Sequence, residues 1–344
     1  MLKLNVLVAG STGYIGIELV KLLTKHKYVN IKYLCGNSSV GKNISIYDKE
    51  LKKKKLPKIT KLNYKHFSNV DIIFTALPNG EAQKISKKLL PNNVLIDLAA
   101  DFRLEKASDY LKWYKKKHQA PKLIKKSFYS LPELTGKKLK KYQIIGCPGC
   151  YPTSILLPLT PLIKKKLIKQ NNIIIDSKSG YSGAGRGVHK KYKNKNLYES
   201  ISAYGVGLHR HNSEIEQFFD RTTNKKINFT FTPHLIPMFR GIISTIYVDL
   251  NKGITINKLN DELFRFYKNS NFVKVASPGS MLSTNNVINS NYCEISVCKL
   301  KYKNKAIILS TIDNLIKGGA GQAIQNMNIL KNFKEEEGLK WKNY

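Results

Sequence analysis

Short apolar runs that end at turn residues recur along the first half of the chain. They occupy residues 3–9, 29–34, 71–77, 94–98 and 144–146. Runs of this length are typical of buried strands. The apolar residues of 17–23 have helical spacing instead, and they follow the first run after a glycine-rich turn. The pattern therefore predicts an α/β fold in which strands alternate with turns and helices.

The second half of the chain has longer strand-like segments. Apolar and polar residues alternate at 228–233, and a long apolar segment follows at 242–250. Long alternating strands predict a mostly antiparallel sheet in a second, α+β domain for substrate binding. Residues 313–330 predict a last helix that packs back on the first domain. The expected domains are residues 1–149, completed by a helical segment at about 313–344, and residues 150–312.

A glycine-rich turn joins the first predicted strand to the first predicted helix. Its residues are Gly10, Ser11, Thr12, Gly13, Tyr14, Ile15 and Gly16. Strand, glycine-rich turn and helix in this order are typical of the phosphate-binding entrance of a dinucleotide fold. The spacing G-x-x-G-x-x-G is a variant of the commoner pattern. These residues are therefore candidates for cofactor binding in a Rossmann-type domain.

The segment after the second strand indicates which dinucleotide binds. An NAD site usually has Asp or Glu at this place, where it holds the ribose 2′-hydroxyl. Residues 35–42 contain no acid, but they include Ser38, Ser39 and Lys42. Two hydroxyls and a cation suit a 2′-phosphate, so NADP(H) is expected, although an ordinary polar loop is the alternative. The turn at Pro78 follows a later strand and is expected beside the same cofactor.

Cys150 is the candidate nucleophile. The apolar run 144–146 leads to Pro148 and Gly149, which force a tight turn, and a predicted helix follows. Backbone N–H groups and the positive end of the helix dipole stabilise a thiolate there, and they can hold an oxyanion. A buried structural cysteine is the alternative. Cys147 completes a Cys-x-x-Cys, for which a thioredoxin-like dithiol is the alternative, but the five cysteines provide no typical zinc pattern, so no metal is expected.

A loop rich in glycine, serine and arginine is predicted at 177–187. Such a loop brings N–H donors and a guanidinium to a phosphate or carboxylate, which makes Ser182, Gly183 and Arg186 candidates for ligand binding. A flexible linker is the alternative. Arg103 follows an earlier strand and is a further candidate for binding an anion, or else it forms a surface salt bridge.

Two histidines flank an arginine ahead of another predicted helix. His209 and His211 are expected just before the helix start, with Asn212 or Ser213 as the N-cap. Neither carboxylates nor cysteines accompany them in a metal-binding pattern, so one histidine is expected to act as a general acid or base. Asn314 precedes a run of glycines near the last helix, where close approach to the cofactor is expected.

The charge of the chain has two interpretations. The 344 residues carry a net charge of +36, as is typical of proteins that bind nucleic acid. The lysines are instead spread along the chain among many Asn and Ile residues, which indicates a compositional bias on solvated surfaces. A nucleic-acid-binding protein on the same scaffold is the alternative.

No apolar run is long enough for a membrane span, and the start lacks a signal-peptide pattern, so a cytoplasmic protein is expected, with an organellar one as the alternative. The basic segment 190–196 is expected to be mobile.

Taken together, the motifs resemble those of the N-acetyl-γ-glutamyl-phosphate reductases, which belong with the aspartate-semialdehyde dehydrogenases. The resemblance covers about residues 3–330. It rests on Gly10-Ser-Thr-Gly-Tyr-Ile-Gly16, Asp97-Leu-Ala-Ala-Asp-Phe-Arg103, Pro148-Gly-Cys-Tyr-Pro-Thr153, Ser179-Gly-Tyr-Ser-Gly-Ala-Gly-Arg186, His209-Arg-His-Asn-Ser-Glu-Ile-Glu216 and 313–323. Cys147 stands where the family often has Asn, and Ser213 stands where Pro is common.

The resemblance implies an activity and roles for individual residues. The activity is the NADPH-dependent reduction of an acyl phosphate to a semialdehyde, with a thioester formed on Cys150. His211 is the first choice for the proton carrier and His209 the second, and Glu214 orients the imidazole. The substrate-binding residues that it implies are Arg103, Arg186, His209 and Gln217. It also implies a homodimer or homotetramer. A sibling reductase of aspartyl phosphate or of a carrier-bound aminoadipyl phosphate is the nearest alternative.

Overall fold

The computed structural model describes residues 3–187, 199–223, 226–301 and 304–339, so the basic segment 190–196 lies outside the described residues. The chain divides into two compact units. The first unit consists of Met1–Gly149 and Gly319–Tyr344, and the second consists of Cys150–Gly318.

A parallel sheet forms the centre of the first unit. Its strands are β1 (Leu4–Ala9), β2 (Val29–Cys35), β3 (Ile59–Thr60), β4 (Ile72–Thr75), β5 (Val94–Asp97), β6 (Ser127–Tyr129) and β7 (Ile144–Gly146). Their order is β3-β2-β1-β4-β5-β7-β6, and each neighbouring pair is parallel. The order reverses between β1 and β4, and ligands of such sheets bind at the carboxyl ends of the strands at this point. The predicted Rossmann-type fold is confirmed.

A mixed sheet forms the centre of the second unit. Its strands are β8 (Ile173–Gly180), β9 (Ser202–Ala203), β10 (Phe229–Ile236), β11 (Ile242–Asp249), β12 (Val273–Val275), β13 (Cys293–Lys299) and β14 (Lys305–Ile312). Their order is β12-β13-β14-β11-β8-β10-β9. The pairs β12–β13 and β8–β10 are parallel and the other pairs are antiparallel, so the predicted mostly antiparallel sheet is confirmed.

The α-helices of the described residues are α1 (Tyr14–Leu23), α2 (Glu81–Ser86), α3 (Ala107–Tyr114), α4 (Pro121–Ile124), α5 (Pro132–Thr135), α6 (Cys150–Lys164), α7 (His211–Thr223), α8 (Ile256–Tyr267) and α9 (Gly321–Leu330). The helix α6 is the core helix of the second unit and packs against α7, α8 and β11. It is buried on all sides from Tyr151 to Ile163, as expected for a helix that is apolar all round. Within the described residues, every helix is too short or too polar to cross a bilayer.

Two predicted element boundaries are wrong. The loop predicted at 177–187 begins later than expected, because β8 continues to Gly180: Ser177 and Ser179 alternate inward like their apolar predecessors, and Ser177 Oγ lies 2.7 Å from Ser244 Oγ. The single helix predicted at 313–330 is instead a π-helical turn, Ile316–Ala320, followed by α9.

Candidate active site

Two glycines allow the turn after β1. Gly10 has a φ of +84°, and a Cβ there would lie 2.3 Å from the carbonyl oxygen of Ala76, just after β4. A Cβ on Gly16 would lie 2.1 Å from the carbonyl oxygen of Gly10. Because the opposing atoms belong to the backbone, neither position can hold a side chain.

The start of α1 fits an anionic group. Gly13 is its N-cap and provides no side-chain cap, and none of the described residues of the first turn is acidic. A Cβ on Gly13 would meet only a carbonyl oxygen at 3.7 Å, so space is left in front of the helix. Helix N–H groups and the helix dipole suit a pyrophosphate at such a place. Thr12, Tyr14 and Ile15 lie at the same end of α1, so the predicted loop fits a dinucleotide.

The polar candidates of this loop and of the turn after β2 divide into two groups. Ser11 and Ser39 are buried. Ser11 Oγ donates to the last carbonyl of β2 at 3.2 Å, and Ser39 Oγ is hydrogen-bonded to Tyr47 OH, so both hydroxyls connect parts of the protein. Ser38 and Lys42, by contrast, are exposed on the turn after β2. Of the candidates in that turn, these two side chains are accessible to a ligand.

Arg103 is 8% exposed and lies at the carboxyl ends of the first sheet. Its Nε donates to the carbonyl oxygen of Cys147 at 2.8 Å, and an Nη donates to that of Leu98 at 2.9 Å. At least these two donors therefore hold backbone after β5 and β7. Pro78 is exposed in the turn after β4. The same turn is held by Asp101, whose carboxylate accepts a hydrogen bond from Gly80 N at 2.8 Å.

Asp97, the last residue of β5, is a functional candidate that sequence reasoning missed. Its carboxylate is fully buried and accepts hydrogen bonds from Thr75 Oγ1 at 2.7 Å and from Ala99 N at 3.1 Å. Burial, followed by the neighbouring Asp101 carboxylate, raises the pKa of Asp97 to about 7. Its place at a strand end within the Asp97–Arg103 motif was the available signal.

Cys147 and Cys150 have different environments. Cys147 is buried, Asn326 Nδ2 lies 3.6 Å from its sulfur, and burial raises the pKa of its thiol to about 12. Cys150 is half-buried and is the first residue of α6. The dipole and N–H groups of a helix N-terminus favour negative charge on its sulfur. A Cβ on Gly318 would lie 2.6 Å from Cys150 Cβ, so glycine leaves room for the candidate nucleophile.

The structure brings both histidines against Tyr151, the residue that follows Cys150. The Tyr151 ring centroid lies 5.6 Å from that of His209 and 5.9 Å from that of His211. The two imidazole centroids lie 4.7 Å apart. Both candidates for the general acid or base are therefore packed against the start of the helix that carries the candidate nucleophile.

The helix α7 begins at His211, and the prediction of Asn212 or Ser213 as its N-cap is wrong. The reason is that His209 Nδ1 accepts a hydrogen bond from His211 N at 3.2 Å, as a capping side chain would. A neutral His209 then carries its proton on Nε2 and can donate from it. Burial, followed by the charge of Arg210, lowers the pKa of His209 to about 4.

His211 has an acidic neighbour. Its Nε2 lies 3.7 Å from Glu214 Oε1, and the Glu214 side chain is fully buried. A carboxylate at this spacing on a helix stabilises a protonated imidazole. Gln217 lies further along the same helix and is half-buried. The two histidines therefore differ: His209 is a neutral donor, and His211 has a partner for its charged form.

Asn314 and the loop after β8 are brought together. Asn314 Nδ2 donates to Ser182 Oγ at 2.9 Å, and its Oδ1 accepts from Gly241 N at 2.7 Å. A Cβ on Gly183 would lie 3.6 Å from Asn314 Nδ2. Arg186 is exposed at the far end of this loop. Asn314 thus braces the loop in which Ser182 and Gly183 lie.

Tyr151 and Tyr204 are absent from the residues predicted by sequence. Their hydroxyl oxygens lie 3.0 Å apart although 53 residues separate them along the chain. The available signal was local: one tyrosine follows the candidate nucleophile, and the other begins the segment that leads to the histidines.

Two family models match the chain. The model described as "Semialdehyde dehydrogenase, NAD binding domain" matches residues 5–142. The model described as "Semialdehyde dehydrogenase, dimerisation domain" matches residues 150–314. The class defined by fold and site is therefore that of the semialdehyde dehydrogenases.

Solved structures of this class have the same fold. Aspartate semialdehyde dehydrogenase II from Vibrio cholerae matches with a TM-score of 0.70 at 17% identity, over 96% of this chain and 99% of that chain. Aspartate semialdehyde dehydrogenase with NADP from Candida albicans matches with a TM-score of 0.67 at 16% identity, over 96% of this chain and 99% of that one.

Curated relatives are more similar in sequence. The N-acetyl-gamma-glutamyl-phosphate reductase of Clostridium botulinum is 46% identical over 98% of both chains. The probable chloroplastic enzyme of that name from Arabidopsis thaliana is 43% identical over 96% of this chain and 82% of its own length. The chain belongs to the N-acetyl-γ-glutamyl-phosphate reductase family, as its motifs predict.

Proposed function

We propose that the protein reduces N-acetyl-L-glutamyl 5-phosphate to N-acetyl-L-glutamate 5-semialdehyde with NADPH and releases phosphate, a step of arginine biosynthesis. The observation that carries the proposal is the position of Cys150. It is the first residue of a buried helix, and two imidazoles pack against the residue that follows it. The reductase names of the curated relatives support the substrate.

Cys150 is the proposed nucleophile. His211 takes the thiol proton, and the thiolate attacks the acyl carbon of the substrate. Phosphate leaves with the proton from His211, and a thioester remains on Cys150. Thiolate attack suits the helix start, because backbone N–H groups there can stabilise both the thiolate and the oxyanion of the tetrahedral intermediate.

The dinucleotide, when bound, supplies the hydride that reduces the thioester carbon. His209 donates from Nε2 to the carbonyl oxygen on which negative charge develops. Its low pKa supports this role, because a group with a pKa of about 4 is a neutral donor at pH 7. The tetrahedral alkoxide then expels the Cys150 thiolate and releases the aldehyde. Glu214 orients His211 and stabilises its charged form.

Further residues are proposed for binding. The pyrophosphate is assigned to the loop Gly10-Ser-Thr-Gly-Tyr-Ile-Gly16, and the 2′-phosphate to Ser38 and Lys42, with Ser39 shaping their turn. Pro78, Ser182, Gly183 and Asn314 are proposed as further cofactor-binding residues. Arg186, Arg103 and Gln217 are proposed for the anionic and amide groups of the substrate. Two donors of Arg103 hold backbone, and Arg186 is exposed on the loop after β8.

The reaction is best tested in reverse. N-acetylglutamate semialdehyde and aspartate semialdehyde are each supplied with phosphate and NADP⁺, and kcat/KM is compared. We expect the first aldehyde to be strongly preferred, the reaction to require phosphate, and NADP⁺ to be used far better than NAD⁺. Preference for aspartate semialdehyde would identify the sibling activity instead.

Matched cysteine variants test the nucleophile. Cys150→Ser should abolish turnover and leave NADPH binding near the wild-type value. Cys147→Ala is the control and should remain active, because that thiol is buried and protonated at neutral pH. Substantial turnover by Cys150→Ser would contradict the assignment, and an inactive Cys147→Ala protein would favour a dithiol.

A homo-oligomer, dimer or tetramer, is also proposed, supported by the dimerisation-domain match of the second unit. Light scattering during size-exclusion chromatography measures its mass directly. The cytoplasmic location stays a prediction, which cell fractionation tests.

A further inference from the structure

Tyr151 and Tyr204 form a pair of hydrogen-bonded hydroxyls that the reaction above does not use. Tyr151 is 2% exposed and is the second residue of α6. Its hydroxyl oxygen lies 3.0 Å from Tyr204 OH and 3.3 Å from the carbonyl oxygen of His234. The carbonyl of His234 accepts from Tyr151, and within the tyrosine pair either hydroxyl can donate. The hydrogen bonds therefore run from the segment before the histidines, through α6, to β10.

The segment between Tyr204 and the histidines is an exposed turn that starts at β10. Its start is fixed to β10, where Tyr204 N donates to the carbonyl oxygen of Pro233 at 3.1 Å. It then turns at Gly205 and Gly207, which have φ values of +58° and +68°. Residues 205–208 are exposed. An exposed turn with two glycines in left-handed conformation therefore leads directly to the imidazoles.

Aromatic packing brings the same residues together in an aromatic cluster, which consists of Tyr151, Tyr204, His209, His211 and Phe231. Besides its contact with Tyr151, the His209 ring centroid lies 5.5 Å from that of Tyr204 and 5.6 Å from that of Phe231. Phe231 in turn lies 5.2 Å from Tyr151. Edge-to-face packing tolerates small rotations of the rings, whereas a hydrogen bond fixes direction.

We propose that the Tyr204–Tyr151 hydrogen bond is a positioning element for the two histidines. By joining their segment to the second residue of α6, it holds His209 and His211 in a fixed orientation relative to Cys150. The proposal rests on the proposed function, in which these three residues do the chemistry. Tyr151 and Tyr204 act here through the histidines and carry no proton of the reaction.

The kinetic test uses Tyr151→Phe and Tyr204→Phe, which keep the rings and remove the shared hydrogen bond. Small displacements of acid–base groups are costly to the chemical step, so each variant should lower kcat about 10-fold. KM for NADPH should not change. The double variant should be no slower than the slower single variant, because both substitutions remove one interaction.

Tyr267→Phe is the matched control. Tyr267 is also buried, and its hydroxyl donates to the carbonyl oxygen of Leu157 on the same helix α6 at 2.6 Å. It lies outside the aromatic cluster, so its loss should lower thermal stability without changing kcat. An equal fall of kcat in this control would show a general effect of loosening α6 and would overturn the proposal.

A second readout needs no turnover. In proton–carbon spectra of the imidazoles, the signals of His209 and His211 should move in Tyr151→Phe and in Tyr204→Phe but not in Tyr267→Phe. Unmoved signals would overturn the proposal whether or not the protein is active. A wild-type protein that proved inactive on the acyl phosphate would refute the proposed function alone. Moved signals with wild-type kcat would also overturn it. If Tyr151→Phe does not fold, the half-buried Tyr204 provides the same test from the other side of the bond.

Discussion

Replacing His209 by asparagine should remove a pH dependence from the stability of the second unit. Burial, followed by the charge of Arg210, lowers the pKa of His209 from 6.5 to about 4. His209 therefore becomes protonated below about pH 6.5 in the unfolded chain but only below about pH 4 in the folded protein. Stability is lost as the pH falls through this window. A shift of this size corresponds to about 3 kcal/mol between pH 7 and pH 4.

The asparagine variant isolates this effect. The Asn Oδ1 takes the place of His209 Nδ1, so it can still accept the hydrogen bond from His211 N that starts α7. It does not titrate, and the other ionisable groups are shared by both proteins and cancel in the difference. The variant should therefore gain about 3 kcal/mol relative to wild type as the pH falls from 7 to 4.

Hydrogen exchange measures the difference in stability of the second unit between the wild type and the asparagine variant. Amides of α6 report opening of the second unit, and comparison of the two proteins at the same pH removes the intrinsic pH dependence of exchange. A carbon-detected titration of the imidazole gives the pKa directly, and Arg210→Gln should raise it. A stability difference that stays constant from pH 7 to pH 4, or a His209 that titrates near 6.5, would refute the reasoning.

Two further predictions concern Gly318, in the π-helical turn beside Cys150, and Asp97, the last residue of β5. Gly318→Ala places a Cβ 2.6 Å from Cys150 Cβ and should lower kcat by more than 10-fold. Gly187→Ala is the control and should not lower kcat, because a Cβ there meets no atom within 4 Å. Equal activities of the two variants would contradict the packing argument. Asp97→Asn tests the raised pKa of about 7: wild type loses stability as the pH rises from 4 to 7, because the unfolded carboxyl ionises first. The variant should therefore gain up to about 4 kcal/mol relative to wild type over that range in urea unfolding, and a gain on acidification instead would show the opposite sign.

Local pattern was sufficient for the architecture of the first unit. The five apolar runs are five of the seven parallel strands, and only the short β3 and β6 were not predicted. The glycines after β1 are required by backbone contacts that a sequence signature reflects. Gly10 and Gly16 are examples, because a Cβ on either would lie within 2.5 Å of a carbonyl oxygen. Such steric requirements are local and leave a recognisable spacing in the sequence.

The direction in which individual side chains point was harder to predict from the sequence. Ser11 and Ser39 match a phosphate-binding composition, yet both hydroxyls are buried and bonded within the protein. The start of α7 was misplaced because an imidazole does the capping that is usually assigned to Ser, Thr, Asn or Asp. The Tyr151–Tyr204 pair depends on the tertiary fold, and no local rule identifies a partner 53 residues away.

The contrast between the two cysteines of the Cys-x-x-Cys argues for a single nucleophile. A dithiol of the redox type needs both thiols to ionise or exchange, and a metal site needs both as thiolates. Cys147 is suited to neither, because burial keeps its thiol protonated with a pKa of about 12 and its main chain is fixed by Arg103. Cys150 is half-buried at a helix start, and glycine at position 318 leaves space beside it. The four-residue Cys-x-x-Cys that resembles a redox motif thus runs from a buried thiol just after β7 to the first residue of α6.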